Sequence, residues 1–205
     1  MSRVPNIRYE GEEEEDEEKA QRRPEDALAE RFLKTRTILL SGEINKEQAE
    51  RVIRQLLLLE SLSDEPIDIY IDSPGGDVDA GYAIFDMIRF VKPPVRLIGM
   101  GLVASAAALI LLAVPKERRL ALPNSHYLIH QPLAGMRGVA TEIEIHAREL
   151  EKTRERINKV IAEATGQTIE RVARDTDRDY WMNAEEAQAY GLISKIGASR
   201  GDLGL

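Results

Sequence analysis

From Arg36 onward, short apolar runs alternate with stretches whose apolar residues recur every three or four positions. The first pattern marks strands, and the second marks helices that bury one face. Thr37–Leu40 is predicted as a strand closed by Ser41 and Gly42. Asn45 opens a helix with Gln48 at the third helical position, as in a capping box, and that helix buries Val52, Ile53, Leu56, Leu57 and Leu59. Ile67–Ile71 alternates as a strand and runs into the turn Ser73, Pro74, Gly75, Gly76. A helical pattern follows to Val91, where Pro93 and Pro94 stop it. Val95–Met100 is the next strand, broken by Gly99 and Gly101 ahead of an apolar helix, Ala106–Ala113. Arg119–Leu122 and Tyr127–His130 are predicted as two further strands.

Thr141 and Glu144 form a second capping-box pattern and open a long helix that ends near Gly166. A helix well beyond the globular mean either projects from the body or packs against a neighbour. Thr168–Arg174 is a short helix; Asn183 and Glu186 cap a last one, stopped by Gly191, and Leu192–Ile196 is a final strand. Strands alternating with helices give an α/β domain.

The chain has 205 residues, suiting one domain, and 43% of them are hydrophobic, enough for a substantial core. The formal charge of −8 is unevenly placed: Glu10–Glu18 holds eight acids and no base, and the remaining 28 acids balance 28 Lys and Arg. The body is therefore neutral, with no basic stripe for nucleic acid. The absence of cysteine excludes disulfides, thiolate metal sites and a thiol nucleophile. The N-terminus lacks the apolar run of a signal peptide. The longest apolar stretch, Leu102–Val114, is about half a membrane span and reads as a buried helix. A cytoplasmic location and no membrane partner are expected. Residues 1–24 are expected to be a mobile acidic arm, residues 25–198 the main domain and residues 199–205 a C-terminal tail.

Four features offer chemistry. The Ser73–Gly76 turn lies between a strand and a helix; its adjacent glycines suit either a tight turn or amides aimed at an anion. Ser105 follows a strand and a Gly-x-Gly turn, so it either caps the next helix or exposes a hydroxyl beside the Ala106 N–H. His130 ends an apolar strand, a position open to a core histidine or a general base. His146 sits among helical charges and His126 precedes a strand. Asp175, Asp177 and Asp179 share one polar loop, and spacing does not choose among them.

Taken together, YIDSPGGDVDAGYAIFD, GLVASAAALILLA, LALPNSHYLIHQPLAG, RGVATEIEIHARELEK and RDTDRDYWMNAEEAQAYGLISKI resemble the proteolytic subunits of the Clp protease over nearly all of residues 34–197. The resemblance implies a crotonase-like head of repeated β-β-α turns with a protruding handle, here about residues 131–164. It also implies a serine endopeptidase with Ser105 as nucleophile, His130 as general base, Asp179 as the third triad member, and the Gly76 and Ala106 amides as oxyanion donors. No metal or cofactor is implied, because ATP is used by a partner. That partner is a hexameric AAA+ unfoldase of the ClpX, ClpA or ClpC type, feeding unfolded polypeptides into two stacked heptameric rings. Its docking pocket matches Tyr70, Phe90, Ile98, Met100, Leu120 and Leu122, and the contact between rings matches Asp177 and Arg178. Val4 and Pro5 match the start of the family's axial hairpin.

The chain departs from the family in three places, one of them an acidic arm that lacks the family's usual approach to the first strand. Ala106 stands where the family has methionine, and Asp68 stands where a docking-pocket aromatic is usual. These departures raise an alternative, a divergent subunit with little activity alone that works in a mixed ring with a paralogue. Three rivals remain: an inactive ring subunit, a crotonase-type acyl-CoA enzyme, and a Ser–Lys peptidase using Lys92 or Lys116.

Overall fold

The computed structural model describes residues 31–32 and 34–205. Residues 1–35 and 36–205 form separate units, and the architecture below is that of the second. The expected acidic arm lies outside the described residues.

In chain order the elements are β1 Thr37–Ser41, α1 Lys46–Leu62, β2 Ile67–Ser73, α2 Val78–Phe90, β3 Val95–Ala104, α3 Ala106–Leu111, β4 Arg119–Ala121 and β5 His126–Ile129. After these come α4 Ala140–Thr165, α5 Ile169–Asp175, β6 Tyr180–Asn183, α6 Ala184–Tyr190, β7 Lys195–Ile196 and α7 Arg200–Leu203. The sheet runs β1-β2-β3-β4-β7 with every pair parallel. Strand β5 pairs in parallel with the far end of β3, and β6 pairs antiparallel with β5. This is the expected α/β class.

The two faces of the sheet differ. Ile38, Leu40, Ile67, Ile69, Ile71 and Leu97 point to one face and are fully buried. Because side chains alternate along a strand, Leu39, Tyr70, Ile98 and Leu120 form a row across the opposite face. Leu39 remains 48% exposed, whereas Ile98 is fully buried.

Helix α1 buries the stripe Ala49, Val52, Leu56 and Leu59, whereas Leu57, expected in the core, falls off that stripe and is exposed. Asn45 caps the helix by accepting from Gln48 N at 2.9 Å. The Gln48 carboxamide does not return to Asn45; it donates to Ser41 O, so the expected reciprocal box is half-formed and the helix is tied to the end of β1. At the other end Ser63 N donates to Leu59 O, and Arg36 adds bonds to the carbonyls of Leu59, Ser63 and Glu65.

The long helix begins earlier than predicted. Val139 occupies the N-cap position, its N–H donates to Glu142 Oε2, and Thr141 lies inside the first turn. At 26 residues the helix spans about 39 Å. It ends at Gly166, whose φ of 76° is the left-handed cap. Residues 140–149 are exposed throughout, and only Ile157, Asn158 and Ile161 are buried. The N-terminal half of α4 thus stands clear of its own chain, as expected of a handle.

Strand β3 corrects a second expectation. It continues through Gly99 and Gly101 to Ala104, so part of the apolar run read as one helix is strand. The six-residue α3 takes up only the next portion. Gly99 makes room for a neighbour, since a Cβ there would collide with the Tyr127 hydroxyl. Tyr127 is fully buried and accepts from Ser125 Oγ at 3.0 Å, and burial pushes its hydroxyl up to about 12. Gly101 adopts φ 55°, and the bend lets Leu102 N donate to Asp72 Oδ1. Strand β6 and helix α7 were not predicted, and β7 is two residues instead of five.

Gly99→Ala is expected to cost about 1–3 kcal/mol by overpacking, read from denaturant unfolding. Adding Tyr127→Phe removes the nearest clashing atom, so the double variant should be more stable than Gly99→Ala alone. No recovery would place the crowding elsewhere.

Candidate active site

Strand pairing brings the site together. In the parallel ladder of β3 and β5, Ala104 faces Leu128, and Ser105 N donates to Leu128 O at 2.9 Å. Ser105 and His130 therefore leave adjacent strands at the same edge. In the antiparallel ladder of β5 and β6, Ile129 faces Tyr180, which sets His130 against Asp179. The crevice beyond the C-terminal ends of parallel strands is where open α/β sheets place their ligands.

The side chains complete a chain of bonds. His130 Nε2 lies 2.8 Å from Ser105 Oγ, and His130 Nδ1 lies 3.1 Å from Asp179 Oδ1. An ionised carboxylate only accepts, so the proton of a neutral imidazole sits on Nδ1. Nε2 is then free to accept from the serine hydroxyl. This geometry separates the two readings of Ser105. Its side chain makes no helix-capping bond, and its hydroxyl is directed to the histidine. Its φ of 56° and ψ of −122° lie outside the usual non-glycine regions, a conformation that costs on the order of 1–3 kcal/mol and is held by its surroundings.

The three loop aspartates have different partners. Asp175 accepts from Tyr190 OH at 3.1 Å and from Arg171 Nε at 3.4 Å. Asp177 pairs with Arg154 of α4 at 3.1 Å. Only Asp179 reaches a histidine, although its side chain is 62% exposed while that of His130 is 14% exposed. His126 opens β5 and His146 sits on α4, both exposed.

The glycine turn is pressed against the serine. Gly75, φ 89°, lies where a Cβ would strike Ala104 O, Ser105 Cβ and Ala106 N. Gly76, φ 148°, is backed by Ile44, and a Cβ there would collide with the Ile44 carbonyl. Ile44 N donates to Gly75 O and Asp77 N to Ile44 O. The Gly76 N–H takes no part in these bonds. The Ala106 N–H belongs to the first turn of α3, where amides lack intrahelical partners.

An apolar cleft adjoins these groups, lined by Val78, Ala108, Leu109, Ile129, Pro132 and Ile161 together with Ser105 and His130. It is narrow, with about 20 Å³ open to water-sized spheres. A larger groove of about 660 Å³ contains Lys92 and no triad residue. Neither Lys92 nor Lys116 lines the cleft beside Ser105.

Sequence reasoning missed the support around Ser105, His130 and Asp179. Gln131 N donates to Thr176 O at 2.6 Å, and Gln131 Nε2 donates to Asp177 O at 2.7 Å. One residue thus ties the histidine strand to the aspartate loop at two points. Thr176 is fully buried and donates to Asn158 Oδ1 of α4 at 2.8 Å. The adjacency of Gln131 to His130 was the available signal, but long-range hydrogen bonds leave no periodicity.

Of the remaining predicted positions, Tyr70, Ile98, Leu120 and Leu122 meet in one apolar cluster. Met100 is half-buried outside that cluster, and Phe90 is 76% exposed at the end of α2. Arg178 donates to Asp177 O at 3.3 Å.

A family model described as Clp protease matches residues 19–200. ATP-dependent Clp protease proteolytic subunit 2 of Treponema denticola is 66% identical over 92% of this chain and 94% of its own length. Proteolytic subunit 3 of Rhizobium etli is 55% identical over 84% of this chain and 89% of its own. A solved structure of a mutant ClpP1 from Listeria monocytogenes superposes with a TM-score of 0.81 at 52% identity, covering 86% of this chain and 99% of that one.

A fluorophosphonate probe should label Ser105, because the hydroxyl already has a base within hydrogen-bond reach. His130→Ala should slow labelling by about 10²–10⁴-fold. Gln131→Ala should slow it by a smaller factor, about tenfold, through a displaced Asp179. Intact-mass spectra of timed samples give these rates.

Proposed function

The chain belongs to the Clp protease family, and from that membership we propose that it is a serine endopeptidase cleaving unfolded polypeptides inside a closed particle. The observation that carries the reading is the unbroken path of hydrogen bonds from Ser105 through His130 to Asp179.

The chemistry follows the triad logic. His130 Nε2 takes the hydroxyl proton as Ser105 Oγ attacks a peptide carbonyl carbon. The Asp179 carboxylate keeps the Nδ1 proton in place and stabilises the imidazolium that forms. The carbonyl oxygen becomes an oxyanion, which the N–H groups of Gly76 and Ala106 stabilise; removing one such donor typically costs about 10²–10³ in rate. The imidazolium returns its proton to the leaving amine as the C–N bond breaks. Water, deprotonated by the same histidine, then releases the acyl group from Ser105. The cleft of Val78, Leu109, Ile129 and Ile161 favours an apolar side chain on the acyl side. Its narrowness requires displacement of Pro132 or α4 when a large side chain enters.

The particle in this reading is two stacked heptameric rings, consistent with the exposed N-terminal half of α4, where Ile143 and Ile145 face solvent in the single chain. Asp177 and Arg178 lie near the contact between rings. A hexameric AAA+ unfoldase docks at the cluster around Tyr70, Ile98, Leu120 and Leu122 and supplies unfolded chains from the cytoplasm. Among the described residues, no helix is long and apolar enough to cross a membrane.

A second reading, a subunit working in a mixed ring with a paralogue, is favoured by one feature. The docking cluster already holds Leu203 of the same chain, and Asp68 lies beside it. The relatives' names carry subunit numbers, which fits organisms with more than one such chain.

Hydrolysis of a fluorogenic peptide with an apolar residue before the cleaved bond should fall by about 10³-fold or more in Ser105→Ala and His130→Ala. Native mass spectrometry should show a fourteen-subunit particle. Full peptidase activity in Ser105→Ala would refute the serine mechanism, and activity on an acyl thioester in that variant would favour the acyl-CoA rival. A particle that labels at Ser105 but cleaves peptide only after addition of a paralogue would select the mixed ring.

A further inference from the structure

The row of apolar residues on the open face of the sheet is covered at one end by the last residues of the chain itself. Leu203 is 8% exposed and packs with Ile98 and Leu120, and Leu205 joins Tyr70 and Leu122 at the margin. Polar contacts hold this segment in place. Arg200 donates to Tyr70 OH at 3.2 Å and approaches Asp68 Oδ2 at 3.8 Å. Asp68 is 5% exposed and pairs through its other oxygen with Arg96 at 2.5 Å, and Arg96 also reaches the Gly204 carbonyl at 3.5 Å.

The segment is folded to fit. Ser199 accepts from Asp202 N, and Asp202 Oδ2 accepts from the N–H groups of Ser199 and Ala198. These bonds hold the Asp202 carboxyl below its ordinary range. Gly197 gives clearance, since a Cβ there would stand 2.7 Å from Leu203. A flexible end would carry none of this capping, and the sequence signal for it was Ser199 followed three residues later by Asp202.

We propose that residues 198–205 are a self-supplied occupant of this cleft, and that a partner segment must displace them and reproduce their chemistry. That chemistry is two leucine-sized side chains and a cation placed to meet Asp68. The proposal rests on the docking role assigned above to the cluster and states what the docking segment must carry. Asp68 then has a physical role. Arg96 stays on Asp68 Oδ1 when the tail departs, but Oδ2 loses the cation it faces in Arg200, so the cleft discriminates in favour of basic apolar segments. The occupied cleft also reduces every partner's affinity to the fraction of time the tail is unseated.

The test uses the full chain in a Ser105→Ala background, so that binding is read without cleavage. The probe is a fluorescent peptide of residues 198–205, followed by anisotropy. The variant with Leu203→Ser and Leu205→Ser should bind it at least tenfold more tightly than the unaltered tail. Arg200→Ala, which removes the tail's polar ties to Tyr70 and Asp68 but keeps both leucines, should show a smaller gain. A peptide with alanine in place of its arginine should bind the emptied cleft about threefold more weakly, the modest effect expected of a partly exposed ion pair. Asp68→Asn should abolish that difference. Equal binding with and without the tail leucines, or none to either, would overturn the occupancy. Indifference to the arginine would overturn the cation requirement. Ser105 labelling in the unaltered protein is a separate measurement, so failure here leaves the peptidase assignment standing, and loss of labelling leaves the cleft result standing.

Discussion

Everything at the site depends on β3 serving two ladders at once. Its first residues pair with β2 and β4, and its last three pair with β5. Sharing one strand between two sets of partners requires a bend, and the bend is where the ladder with β2 changes register between Ile71 and Ser73. Gly101 supplies the positive φ, and the Asp72 carboxylate accepts the Leu102 amide that the shift leaves unpaired. Beyond the bend, β3 and β5 end together. Any slip of one residue in that pairing would turn His130 to the other side of the sheet, so the register is as much a catalytic constraint as a packing one.

The strain at Ser105 is bounded by the same arrangement. A non-glycine residue holds φ 56° only when its neighbours leave no relaxed alternative. Here the Ser105 amide is tied to Leu128 O on one side, and Leu109 N donates to Ser105 O on the other. Gly75 presses against the serine from the β2 side, at a distance only a residue without Cβ can reach. Turning the hydroxyl back to cap α3 would break its bond to His130. The glycines of the turn and the unusual serine are thus one feature, a close approach of two strand-to-helix turns that sets Gly75 against Ser105 and the Ala106 amide.

Much of this was legible in the sequence, for physical reasons that also explain the gaps. Helices α1, α2 and α4 and strands β1, β2 and β5 announce themselves because burial on one face imposes a period. The trio Ser105, His130 and Asp179 was legible only through resemblance: local chemistry left Ser105 divided between cap and nucleophile and left three aspartates equivalent. What chose Asp179 is antiparallel pairing of β6 with β5, and β6 escaped notice because its four residues, Tyr180–Asn183, alternate too briefly to stand out. Gly99 was misread as a strand breaker since its purpose, space for Tyr127, lies 28 positions away in the chain. Arg36, Gln131 and Arg119 are of the same kind. Arg119 is buried and donates to the carbonyls of Val114, Gly191, Leu192 and Ala164, joining four segments with no trace in any pattern.

The exposure of Asp179 links the triad to the long helix. Its bond to His130 is 3.1 Å long and open to water on one side, so solvent competes for it and the carboxylate contributes less than a buried one would. Its position is therefore set less by its own bond than by the loop that carries it. That loop is held by Gln131 from the histidine side, and by Arg154 and Asn158 from α4. Two of these anchors thus sit on the helix whose first ten residues are exposed. Ser105 and the Gly76 turn are braced instead by bonds to β5, α3 and Ile44. In the proposed mechanism the nucleophile is thus held by the sheet, and the general base is oriented through a loop that α4 anchors.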